Sequence, residues 1–315
     1  MTPRIPEIVA IERLAETLGT SASTEVLAVV DGLPIHAFRF GVDDRSLPAL
    51  LITGGVHGLE RIGTDVAIAY LAALAARLPW DAVLHDALAR CRVFVIPLIN
   101  PVGMTRGRRA NGNGIDLMRN APAASLGGTP LIGGHRISRH LPWYMGAEGA
   151  AMEREAFAVT SFVERQLFDA SLAIALDLHS GFGFVDRLWY PYARTRDPLP
   201  DLDAVEALAR LLDGSLPNHV YRVEQTARVY TIRGDLWDHL YDRRHRLGGG
   251  TLLPLTLEMG SWTWVRKNPL QGFSSRGRFN PVKLHRHRRT LRRHLPLIDF
   301  LLHATASHRA WMPAR

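Results

Sequence analysis

The residues of this chain best suited to chemistry are two histidines and a glutamate. His57 and Glu60 stand three residues apart in Gly54-Gly55-Val56-His57-Gly58-Leu59-Glu60, and a second histidine follows far downstream in Leu176-Asp177-Leu178-His179-Ser180. A His2Glu set is a recurring way to hold a catalytic zinc, with the fourth position left to water. Alone, an H-x-x-E tetrapeptide is weak evidence, since such pairs recur by chance on surfaces. His179 alone reads sooner as a hydrogen-bonded structural histidine than as a ligand. The remaining histidines form no rival set, because His135 and His140 fall in a long loop and His285, His287 and His294 in a basic segment. A second metal through His135 or His140 has no further support.

The three ligand candidates gain weight from the elements around them. Short apolar runs alternate with longer helical patterns, the signature of an α/β domain whose strands are covered on both faces. Core strands are expected at Ala49 to Thr53, Arg92 to Leu98, Leu172 to Leu178 and Leu252 to Leu257. Helices are expected at about Thr64 to Leu78, Ala150 to Leu167 and Leu202 to Leu212, with a last one from Lys283 onward that is kinked at Pro296. Thr24 to Gly41 reads as a hairpin turning at Asp31-Gly32. Asn100 to Trp143, Pro191 to Asp201 and Gly260 to Phe279 read as irregular loops, the first too long to be an idle connection. The expected fold is one α/β domain over residues 1–315: a central mixed, largely parallel twisted sheet with helices on both faces, the basic C-terminal helix packed as part of it. His57, Glu60 and His179 each follow a strand closely, where open α/β sheets bind their ligands.

Composition excludes several other functions. The one cysteine, Cys91, rules out an internal disulfide and thiolate metal ligation, and its place before an apolar run suits a buried bystander. There is no G-x-S-x-G elbow, no G-x-x-x-x-G-K-[ST] phosphate loop and no G-x-G-x-x-G dinucleotide turn. The longest apolar stretch, Val66 to Ala76, stops at Arg77, short of a membrane span. The N-terminus lacks a continuous apolar region, so a cytoplasmic enzyme is expected. Net charge is +8, much of it in Lys283 to Arg289 and Arg292 to His294, which reads as the solvated face of the terminal helix.

The ordered set His57-x-x-Glu60, Asn100-Pro101-Val102-Gly103, Arg109, Gly114-Ile115-Asp116-Leu117-Met118-Arg119-Asn120, His179 and Glu258 resembles the zinc carboxypeptidase family, including its aspartoacylase and succinylglutamate desuccinylase branch. The match spans about residues 49 to 262. The resemblance implies one zinc per chain, bound by His57, Glu60 and His179. It implies that Glu258, in Leu257-Glu258-Met259, is the general base on the water that zinc activates. It makes Arg109 the arginine that stabilises the tetrahedral oxyanion, with Arg106 and Arg108 close enough to leave the register open. Arg119 then grips the substrate carboxylate through its planar fork, and Asp116 receives the spare N–H of the first histidine. For the family's mobile tyrosine, Tyr241 is the candidate, with a core aromatic on a helix face as the plainer reading.

One position departs from the pattern. The family run is usually Asp-Leu-Asn-Arg-Asn, and Met118 replaces the first Asn, removing one hydrogen bond to a terminal carboxylate. Arg243 and Arg244 lie near where the side-chain pocket is usually built; both are read here as solvated. The expected activity is zinc-dependent hydrolysis of an amide next to a carboxylate, on a peptide or cell-wall peptide fragment. An aspartoacylase-like deacylase of N-acyl amino acids is the rival within the class. That branch usually carries a small β-rich domain after the core, whereas a basic helix follows Phe279 here. A zinc-fold protein binding nucleic acid through its basic tail is the rival outside it. The expected partner is a small peptide or N-acyl amino acid, with no membrane and no nucleic acid expected and the oligomeric state open.

Overall fold

All four apolar runs read as core strands are strands, and they lie together at the centre of one sheet. The computed structural model describes residues 4–122 and 128–314; Met1 to Pro3 of the N-terminal stretch and residues 123–127 of the long loop lie outside the described residues. The strands are β1 (Ser23–Val30), β2 (Leu33–Phe40), β3 (Ala49–Gly54), β4 (Arg92–Ile96), β5 (Leu172–Ser180), β6 (Arg187–Tyr190), β7 (Arg222–Gln225) and β8 (Thr251–Met259). Their order across the sheet is β1-β2-β4-β3-β5-β8-β6-β7. Strands β4, β3, β5 and β8 run parallel, while β1, β2 and the pairing of β6 with β8 are antiparallel. The sheet is therefore mixed with a parallel centre, as expected.

The helices are α1 (Pro6–Leu18), α2 (Arg61–Arg77), α3 (Ala82–Arg90), α4 (Pro101–Thr105), α5 (Arg154–Leu167), α6 (Leu202–Ser215), α7 (Leu236–Leu247), α8 (Trp262–Lys267), α9 (Ser275–Phe279) and α10 (Leu284–Ala306). Alternation along β3 shows how they divide. Leu50 and Ile52 join a core with Ile8, Val66, Leu208 and Leu301, whereas Ala49 and Leu51 join the opposite core with Val159, Val163 and Leu240. Every residue of β3, β4 and β5 is buried, which explains their largely apolar sequence, polar only at Thr53, Arg92, Asp177, His179 and Ser180.

The hairpin turns at Asp31 (φ 48°) and Gly32 (φ 78°), the paired positive angles of a two-residue turn that suits sheet twist. Helices α1, α3 and α7 were not read from the sequence, although α3 and α7 carry plain capping signals. Asp81 accepts from Leu84 N at 3.1 Å, and Asp235 accepts from Trp237 N and Asp238 N at 3.0 and 2.9 Å. Gly260 to Phe279 is not irregular but holds α8 and α9. α10 runs through Pro296 as one helix; Pro296 and Arg292 are exposed, so the carbonyl deprived of a partner can meet water. Its apolar stripe packs on α2, α3, β3 and β5. Cys91 is buried, with its thiol pushed up to about 12 by burial, which disqualifies it as a nucleophile. No single described helix is long and apolar enough to cross a membrane.

Candidate metal centre and its cavity

The parallel strands deliver the site to one rim. β3 ends at Gly54, and the link to α2 carries His57 and Glu60 in a turn closed by Glu60 N donating to His57 O at 3.0 Å. The pair thus shares a face through a turn rather than a helix. On β5, His179 lies in register with Glu258 of β8, which places histidine and glutamate abreast on neighbouring strands. Among the described residues His57, Glu60 and His179 form one metal-competent group, their ligand atoms all within 4.8 Å of one another.

The donor set fits a zinc ion on this geometry. Nδ1 of His57 is buried without a hydrogen-bond partner, and Asp116 Oδ1 stands 3.7 Å from it. Burial and the nearby Arg109 keep that imidazole well below its ordinary pKa, neutral as a ligand must be. His179 turns Nδ1 towards Glu60 Oε2 at 3.4 Å and bonds Asp177 Oδ2 through Nε2 at 2.8 Å. Burial opposes its protonation, yet Asp177 and Glu60 lift it well above the ordinary value; a cation belongs in the position that proton would occupy. Glu60 also accepts Ser180 N at 2.9 Å.

Asp177 was missed from the sequence. Thr53 Oγ1, Trp237 Nε1 and His179 all converge on its carboxylate at 2.8 to 3.0 Å, fixing which ring nitrogen of His179 faces the cluster. The signal was present: Asp177 and His179 are two apart on a strand and so share a face. Asp116, expected to receive the spare N–H of His57, faces His57 Nδ1 with Oδ1 at 3.7 Å, where Oδ1 also accepts Met118 N at 3.1 Å, and gives Oδ2 to Arg109 Nε at 2.9 Å and Arg119 Nη1 at 3.0 Å. Both guanidiniums share Oδ2 through charge-assisted bonds, which leaves Oδ1 on the side of the imidazole.

The arginine register resolves at Arg109. Its Nη1 donates to Glu60 Oε1 at 2.9 Å and its Nη2 lies 2.6 Å from His57 Nε2, whereas Arg106 reaches outward to Asp31 and Arg108 is exposed. Arg119 is 2% exposed and spends three N–H groups on Asp116 and the Ile132 carbonyl. Two of its five donors remain. Tyr241 is not at the centre. Its ring packs in the core and its hydroxyl donates to Asp201 Oδ2 at 2.8 Å, because α7 turns Leu240 and Tyr241 inward. Tyr230, after β7, lines the cavity instead, its phenol held above the ordinary range by burial. Its ring sits 5.9 to 6.0 Å from those of Trp189 and Phe182. Nothing in the sequence set Tyr230 apart, since it falls in a loop with no periodicity. Arg243 pairs with Glu164 near the surface, but Arg244 is buried against Gly248 O rather than solvated. His135 bonds Pro142 O at 2.7 Å and lies outside the cluster.

Around these groups is a cavity of about 580 Å³. Glu258 is buried in its wall and accepts Phe182 N at 3.0 Å. Burial, and then Glu60, raise its carboxyl to about 8. A carboxylate abreast of a His2Glu cluster, with two arginines in the same cavity, defines the class of a zinc hydrolase on a mixed α/β sheet. More narrowly, the chain belongs to the zinc carboxypeptidase family, whose profile matches residues 12–261. Mouse (Mus musculus) carboxypeptidase A4 is 25% identical over 257 residues, 75% of this chain and 55% of that protein, so the chain spans about half the length of this curated relative. Bovine thrombin-activatable fibrinolysis inhibitor, solved in complex with tick carboxypeptidase inhibitor, superposes with a TM-score of 0.69 at 17% identity over 98% of both chains. Carboxypeptidase A from Helicoverpa armigera gives 0.58 at 19% identity, covering 79% of this chain and 62% of that one. At these identities the solved structures establish the fold.

Proposed function

We propose that this protein is a zinc carboxypeptidase that hydrolyses the amide bond before a terminal residue bearing a free carboxylate. The observation that carries the reading is Glu258 abreast of His179 in the wall of a cavity that also holds Arg119. His57, Glu60 and His179 would hold the ion, which when bound supplies Lewis-acid polarisation of the carbonyl and lowers the pKa of water. Glu258, abreast of His179 in the cavity wall, takes as carboxylate the proton of the attacking water and returns it to the leaving amine. Arg109, whose Nη1 and Nη2 stand at Glu60 and His57, would direct its guanidinium at charge developing on the substrate carbonyl beside the ion. Asp116 keeps that guanidinium and the one on Arg119 in fixed planes.

Arg119 recognises the terminal carboxylate with its two remaining donors. Met118 lines the same wall and adds no amide, so recognition rests on the guanidinium. Tyr230 offers a phenol to the substrate from the opposite loop. The test is a mass-spectrometric screen of zinc-loaded protein on peptides with free or amidated C-termini, cell-wall peptide fragments and N-acyl amino acids. Removal of one C-terminal residue from free acids but not from amides is the expected result. Turnover confined to N-acyl amino acids would replace this reading with the deacylase one.

A further inference from the structure

The positive charge of the chain is concentrated in one segment. Between Glu258 and Asp299 stand ten lysines and arginines and no aspartate or glutamate, so the whole excess of +8 originates there. A solvated face accounts for part of it, since Arg288 and Arg292 are exposed on α10. Another part lines a groove. Arg286, Arg289 and Arg293 recur at helical spacing along one stripe of α10, and with Lys267 at the end of α8 they border a cavity of about 460 Å³. None of its lining residues lines the metal cavity.

Most of the charge in this groove has no counter-charge. Its one lining carboxylate, Asp186, accepts Gly260 N through Oδ1 and Arg293 Nη1 through Oδ2, both at 2.9 Å, with His294 Nε2 3.9 Å away. Burial takes His294 down to about 4, so it adds no charge of its own. Asp186 and Arg293 therefore neutralise each other. Arg286 donates Nη1 and Nη2 to the carbonyls of Trp264 and Lys267 at 3.2 Å, which satisfies its donors but leaves its charge. Among the described residues no carboxylate pairs with Lys267, Arg286 or Arg289. Arg286, with Lys283 before it, also sits in the first turn of α10, where the helix dipole favours anions and no acidic residue stands. Three unanswered cations share one concavity.

We propose that this groove binds a compact polyphosphate, two or three linked phosphoryl groups, free or as the head of a nucleotide. A phosphoryl group concentrates more negative charge and more acceptor oxygens than a carboxylate, so a short chain of them can answer three cations at once. Guanidinium forks match phosphate oxygens in pairs. From Arg286 to Arg293 the stripe covers about 10 Å of helix, room for such a chain, and the cavity has the volume of a small-molecule site. Phe184 and Val220, both exposed and both lining the groove, offer an apolar face to a base. The site is separate from the metal centre and does not depend on the carboxypeptidase reading.

Titration calorimetry with inorganic tripolyphosphate on the zinc-loaded protein tests the assignment. Lys267 and Arg289 are exposed and their side chains bond no described residue, so the double variant Lys267→Gln, Arg289→Gln should keep the wild-type melting temperature. That variant should bind tripolyphosphate at least about tenfold more weakly, two charge-assisted contacts having been lost. Arg288→Gln with Arg292→Gln removes the same charge from outside the groove and should change affinity less than about threefold, as screened surface charges do. The metal-free protein should bind as tightly as the zinc-loaded one. ATP held as tightly as tripolyphosphate would mark the phosphate chain as the part recognised, and ATP held more tightly would add the base; both support the proposal. No binding in the wild type up to millimolar tripolyphosphate, an equal loss in the two double variants, or binding that requires zinc overturns it.

Discussion

Glu258 shows how one side chain's surroundings set both its chemistry and its cost. Replacing it with glutamine preserves size and the bond from Phe182 N but removes the proton acceptor. Zinc content should therefore be retained in Glu258→Gln while turnover falls by about 10²–10⁴. Near-normal rates would remove Glu258 from the mechanism. The same burial predicts a pH effect in the metal-free protein. The native carboxyl titrates at about 8, whereas the unfolded chain releases that proton near about 4.3. Between those values the native state holds a proton the unfolded state has lost, so stability falls as pH rises through the window. Glu258→Gln escapes this loss. Its melting temperature should gain on the wild type between about pH 5 and pH 8, as scanning calorimetry would read. A constant difference across that range would mean the carboxyl is not held up.

At the scale of elements, the ligand turn between β3 and α2 owes its shape to α4. Asn100 caps α4 by accepting Gly103 N at 2.8 Å and donates to Val56 O at 3.2 Å, tying the turn to the helix. The fit leaves no room: a Cβ on Gly58 would fall 2.1 Å from the backbone of Gly103 and Met104. Gly58→Ala must push the turn off α4 and displace both His57 and Glu60. Zinc affinity should fall at least about tenfold, with a loss of about 1–3 kcal/mol in stability. Gly214→Ala in α6, where a Cβ meets nothing within 4 Å, is the control and should leave zinc binding intact. Wild-type affinity in Gly58→Ala would show that the turn is not held by this contact. These elements also mark what the sequence could say. The parallel strands announce themselves as apolar runs, and ligands placed at strand ends were legible because strand direction carries them to one rim. Tyr230 and the partners of Asp116 depend on how loops cross that rim and on which acceptor wins each donor. No periodicity encodes those outcomes. Asp177 is intermediate, readable from its two-residue spacing to His179 once the strand is known.

Across the whole molecule, the metal centre joins segments far apart in the chain. Glu60 and Ser180 meet across 120 residues, and Asn280, just before α10, donates to Leu59 O and accepts Ile62 N on either side of Glu60. The site thus binds the β3–α2 link, the end of β5 and the approach to the C-terminal helix at one point. An ion at this centre is held only while all three are in place, so its binding free energy adds to folding free energy. At free zinc about a hundredfold above the dissociation constant, the gain is about 2.7 kcal/mol. For a chain of this size each kcal/mol moves the midpoint by roughly 2–4 °C, which gives an expected rise of about 5–10 °C over the chelated protein. His179→Ala removes a ligand from the middle of this arrangement, so its midpoint should no longer respond to zinc at the same concentration. The basic face of α10 lies outside this coupling, and exchanging Arg288 and Arg292 for glutamine should leave the zinc response as it was. A zinc-induced rise equal in wild type and His179→Ala would place the stabilising ion elsewhere on the molecule and dissolve the link between this centre and the fold.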